Sequence, residues 1–103
     1  MQLIGKQKRF LRAKANHLRP VFSIGKNGLS SIWLEEVNNV LNNRELIKVN
    51  ILQNADVTTS DVKNYIEQNS NIKVVQTIGR ILVLFKESDD PEKQDISKDV
   101  TLI

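Results

Sequence analysis

Gly25, Lys26, Asn27 and Gly28 form the stretch of this chain whose residue types and spacing best suit a defined chemistry, the cradling of a phosphate. Two glycines three residues apart let the backbone turn sharply, and they let an anion approach main-chain N–H groups without meeting a Cβ. Lys26 places a point charge between them. Val21 to Ile24 reads as a short strand before the loop, and a helix follows it. The start of that helix adds unpaired N–H donors and the positive end of a dipole.

A lone G-x-x-G is a weak signal, because it often marks only a tight turn. Here the strand before it, the helix after it and the basic residues around it favour a clamp on a nucleic-acid backbone, the mechanism used by KH modules. The chain has no Asp or Glu before Glu35, but has Lys6, Lys8, Arg9, Arg12, Lys14, Arg19 and Lys26. From Glu35 to Lys86 acids and bases balance, and beyond Lys86 six acids face two lysines. The formal net charge of +3 is therefore a sum of opposed regions. An all-basic helix face repels itself unless an anion neutralises it, so the asymmetry points to a polyanion partner. Lys48 and Arg80 could extend the basic surface.

Other chemistry has little material. With no cysteine and one histidine, His17, neither a disulfide framework nor a metal site is expected, and no cofactor motif occurs. Glu35 and Glu36 are adjacent, so on a helix they point about 100° apart rather than across a shared site. No nucleophile and base can be paired, so the chain is not expected to be an enzyme or to take a small-molecule substrate. No apolar run approaches the roughly 20 residues of a membrane span, and no export signal opens the sequence, so a cytoplasmic monomer is expected.

The elements that must position the loop follow from periodicity. Ile4, Leu11, Ala15 and Leu18 recur at helical spacing, with Phe10 at the edge, giving an amphipathic basic helix from about Ile4 to Leu18. Lys14 falls in its apolar arc and is expected to bury its stem. Pro20 ends that helix. Leu29, Trp33, Val37, Val40 and Leu41 mark a second helix, capped by Ser30 or Ser31, with Trp33 facing the core. Leu46 to Leu52 alternates as a half-exposed strand. Thr58 and Asp61 match a capping box for a third helix. Lys73–Ile78 and Arg80–Lys86 read as a hairpin turning at Gly79-Arg80, and the unbroken run Ile81 to Phe85 predicts a central strand covered on both faces. The order αβαβαββ predicts an α/β fold, an α+β sandwich of two to three layers around a four-stranded mixed sheet. Residues 1–86 form the domain, and residues 87–103 are expected to be a flexible acidic tail.

These residues resemble a known family. Leu3 to Leu11, Leu18-Arg19-Pro20-Val21, Ile24 to Leu29, Glu45 to Val49 and Gln76 to Arg80 together are similar to the CRM domain, named for chloroplast RNA splicing and ribosome maturation, and closest to its bacterial stand-alone YhbY type. The resemblance covers Met1 to about Lys86. It implies a fold similar to the C-terminal domain of bacterial initiation factor three, RNA binding, and association with ribosomal RNA in precursors of the large subunit. It also implies that Gly25, Lys26, Asn27 and Gly28 touch RNA, supported by the first-helix bases and Arg80. Two other readings stand beside it: an adaptor whose basic face binds an acidic protein, and a duplex-DNA binder. The latter is disfavoured because no second recognition helix follows a short turn.

Overall fold

A tight hairpin organises the sheet. In a computed structural model, which describes residues 2–103, β3 (Lys73–Ile78) turns into β4 (Ile81–Phe85) through two residues, with Ile78 opposite Ile81. Gly79 has φ +58° and Arg80 does not share the positive φ, the pattern of a type II′ turn. On its other side β4 pairs antiparallel with β2 (Leu46–Ile51), and β2 pairs parallel with β1 (Pro20–Ile24), in the order β1-β2-β4-β3. The parallel pair needs a crossover. That crossover is α2 (Ser31–Arg44), and α3 (Thr59–Asn69) connects β2 to β3.

The central strand explains the layering. Leu82 and Leu84 join a core cluster with residues of α2 and α3, while Val83 and Phe85 join a second cluster with Leu11 and Ala15 of α1 (Gly5–Ala15). The sheet is therefore sandwiched, and β4 can be apolar throughout because neither face meets water. All four side chains are essentially fully buried, each contributing roughly 1.5–3 kcal/mol.

The helix starts follow local chemistry. Ser30 Oγ accepts from Trp33 N–H at 3.1 Å, which identifies Ser30 as the cap of α2. Thr58 and Asp61 exchange bonds of 2.9 and 3.1 Å as a reciprocal box. The first helix is shorter than its apolar period suggests. Ile4 is its N-cap, 56% exposed, with its N–H held by Gln7 Oε1, and Leu18 packs only after the helix has ended. Lys14 is exposed rather than stem-buried, its Nζ lying 5.5 Å from the Phe10 ring centroid in a cation–π contact.

The acidic segment departs most from expectation. Instead of a flexible tail, residues 87–103 fold back: Asp90 caps a 3₁₀ turn at Pro91–Lys93, and α4 (Ile96–Thr101) packs beside α1 with Val100 fully buried. Gln7 Nε2 donates to Val100 O at 3.0 Å, and Glu45, itself 1% exposed, accepts from Ser88 and Ser97. Val100, the partly buried Ile96 and the buried Glu45 carboxylate anchor a stretch that has no apolar period of its own. Met1, the first residue of the expected 1–86 domain, lies outside the described residues.

Candidate nucleic-acid interface

The loop begins where β1 runs out. Leu52 N–H donates to Ile24 O at 2.9 Å, and the chain then turns through Gly25, Lys26, Asn27 and Gly28, closed by a 3.0 Å bond from Gly28 N–H to Gly25 O. The two glycines differ in what they need. Gly28 has φ +68°, which L side chains rarely adopt, although a Cβ there would meet nothing within 4 Å. A Cβ on Gly25 would meet only Leu52 Cδ1 at 3.6 Å, an ordinary contact. The turn also spends one of the loop's N–H donors, that of Gly28, on its own closure. The N–H groups of Lys26 and Asn27 have no partner among the described residues, and both side chains are exposed.

The four loop residues border a depression of about 260 Å³, closed on the other side by Ile32 and Glu36 of α2. Trp33 lies beneath it and is 8% exposed. Its Nε1 donates to Ser23 O at 3.0 Å and its ring packs 6.0 Å from Phe22, so it is part of the core, as expected, and no open stacking platform.

Arg80 belongs to the same end of the sheet. Its Nε donates to Ile51 O at 3.2 Å and its Nη2 to Leu52 O at 2.9 Å, so it braces the strand end that in turn holds Ile24. Lys48 is not brought to the loop. It lies mid-strand, in register with Pro20 and Val83, half-buried on the α1 side of the sheet.

The first-helix bases also stand apart. Lys6, Lys8, Arg9 and Lys14 are exposed and Arg12 is half-buried on α1, across the sheet from α2, while Arg19 is exposed just before β1. None of them borders the loop depression; Lys8 lines a separate one with Glu67 and Lys73. They remain available as charge, because the ion pair found among the described residues is Lys86–Asp89, at 3.0 Å. The acidic segment does not cover the loop. It binds the far end of α2, with Ser88 Oγ on Asn42 O and Lys93 Nζ on Asn43 Oδ1. A helix of 14 residues separates the two ends by roughly 20 Å.

Sequence reasoning missed Ile32, Glu36 and Leu52 as neighbours of the loop. The first two are four residues apart and so share a helix face, but nothing local says which face borders the loop. Glu35 lines a different groove, beside Tyr65, so the two adjacent carboxylates diverge as their helical spacing requires.

Residues 3–86 match the family model of the CRS1 / YhbY (CRM) domain. Bacillus subtilis YqeI, named as a probable RNA-binding protein, is 44% identical over 94 residues, spanning 91% of this chain and 98% of its own. A Haemophilus influenzae protein named as RNA-binding is 43% identical over 89 residues, covering 86% of this chain and 90% of that one. The solution structure of the Staphylococcus aureus protein SAV1595, there suggested to bind RNA, superposes with a TM-score of 0.72 at 35% identity over 91% of this chain and 98% of that one.

Proposed function

The chain belongs to the CRS1 / YhbY (CRM) domain family, and on that premise we propose that it is a non-enzymatic RNA-binding protein that contacts ribosomal RNA during large-subunit assembly. The observation that carries the reading is the loop: two N–H groups without a partner among the described residues and an exposed Lys26 at the entrance to α2. Such a group of donors takes a phosphate, and the helix dipole adds to its pull.

The α1 bases form a second contact band rather than an extension of the first. RNA touching both must span the thickness of the sheet, which suits a folded ribosomal RNA better than a short single strand. Phosphate contacts of this kind position the protein without reading sequence. With Trp33 buried, the site offers no aromatic platform for stacking, so most of the affinity comes from backbone charge and shape.

Sedimentation of cell lysate on a sucrose gradient tests this, with wild type beside Lys26→Glu/Asn27→Asp. Both positions are exposed and neither needs a positive φ, so the double variant keeps the fold. Wild type travelling with large-subunit precursors and the variant staying at the top is the expected result. Wild type at the top, or co-sedimentation that survives nuclease digestion of the RNA, overturns the proposal, the second outcome in favour of a protein partner.

A further inference from the structure

We infer that the depression beside the loop is a nucleobase site selective for guanine in single-stranded RNA, with Glu36 reading the base and Ile32 forming its apolar wall. The inference rests on the RNA-binding reading above and goes beyond it by assigning a base preference to a site otherwise concerned with phosphate.

The position of Glu36 beside the loop is the observation that carries the assignment. It is exposed, it makes no ion pair among the described residues, and it borders the same depression as Gly25, Lys26, Asn27 and Gly28. A carboxylate beside a phosphate clamp opposes backbone binding by charge repulsion. It becomes favourable only if the group brought next to it carries hydrogen-bond donors, since an ionised carboxylate only accepts.

Guanine fits that demand best. Its Watson–Crick edge sets N1–H and N2–H side by side, matching the two carboxylate oxygens. Adenine and cytosine place a single amino donor next to an acceptor nitrogen, and uracil flanks its one N–H with two carbonyls, so each sets an acceptor against the carboxylate. The Watson–Crick edge is free only where the base is unpaired, which specifies single-stranded RNA or a loop.

The walls agree with this occupant. Ile32 is 69% exposed and stands one turn before Glu36, on the same helix face, so its side chain can pack on the face of a ring whose edge meets the carboxylate. At about 260 Å³ the depression is smaller than the roughly 300–1,000 Å³ of sites for drug-sized ligands, and it suits one nucleotide rather than a duplex. Lys26 and Asn27 border the same depression as Ile32 and Glu36, so a phosphate on their N–H groups puts the attached base beside α2.

Fluorescence anisotropy with the full chain and labelled heptamers, all uridine except for a central G, A, C, U or inosine, tests the assignment. The site is open to water, so the G heptamer should bind roughly five- to tenfold tighter than the A, C and U heptamers, the low end for a bidentate base contact. Inosine lacks the 2-amino group and should fall between. Glu36→Ala, an exposed helix position where Ala is a good helix former, should bring the G-to-U ratio to about one, and Lys26→Glu should weaken all heptamers together.

Equal binding of every heptamer by wild type, with Lys26→Glu still weakening them all, overturns the guanine site and leaves RNA binding intact. Guanine preference that survives in Glu36→Ala overturns the role of Glu36, and binding of a structured ribosomal RNA fragment without any heptamer overturns the site. Failure to bind either RNA overturns this inference and the proposed function together.

Discussion

The backbone N–H of Ser97 donates to Glu45 Oε1 at 3.1 Å across 52 residues of chain, and the second carboxylate oxygen takes the N–H of Ser88 at 2.8 Å. One buried side chain thus holds the start of the acidic segment and the first turn of α4. Glu45 does so from a strained backbone, the left-handed position that ends α2, with φ 64° in a residue other than glycine. That conformation costs about 1–2 kcal/mol. Charge-assisted bonds of roughly 1.5–3 kcal/mol each offset it.

Glu45 gives the fold an acid-sensitive joint. Burial pushes its carboxyl up, but the hydrogen bonds from Ser97, Ser88 and Asp95 outweigh this and hold it below its ordinary value of 4.5. The Ser97 hydroxyl is buried beside it without a hydrogen bond of good geometry, so the backbone N–H groups are the firm anchors. Because the folded pKa lies below the unfolded one, this stabilisation is complete above about pH 4.5 and is lost as pH falls through the folded value. Glu45→Gln should cost about 1.5–3 kcal/mol at neutral pH and flatten the acid limb of a urea-denaturation series. An unchanged pH profile would rule the joint out.

Val100→Ala measures directly whether the segment belongs to the core. Its side chain is fully buried against the α1 layer, so truncation should destabilise by about 1–3 kcal/mol and speed amide exchange in α4. A detached tail would show no change in either measurement.

The loop glycines should separate cleanly. Gly28→Ala should lose about 1–2 kcal/mol to its positive φ, with Gly28→Asn milder, because Asn tolerates the left-handed region. Gly25→Ala should be neutral or stabilising by about 0.4–1 kcal/mol, since its φ is ordinary and its nearest neighbour makes only a normal contact. Thermal melts of the three variants decide, and equal losses at both glycines would contradict the geometry.

RNA affinity should fall steeply with salt. If about four phosphates are neutralised by Lys26 and the α1 bases, the slope of log affinity against log salt should be roughly −3 to −4. Lys26→Glu should reduce its magnitude by about one. A flat response would show that the unpaired basic charge does not meet phosphate.

Much of the molecule was legible in the sequence because it is decided locally. Ser30 and the Thr58–Asp61 box start their helices through bonds spanning three residues, Gly79 closes a two-residue turn, and the unbroken run from Ile81 to Phe85 marks a strand covered on both faces. The loop could be read for the same reason: its strand, turn and helix are consecutive.

Only the tertiary structure decided which distant groups meet. It turned Arg80 onto the carbonyls of Ile51 and Leu52, kept the α1 bases across the sheet from the loop, and set Glu36 rather than Glu35 beside Gly25 to Gly28. It also docked an acidic segment that reads as solvent-exposed. That docking depends on Glu45 and Val100 becoming buried together, and such an interaction leaves no periodic trace in the chain because its partners lie dozens of residues apart.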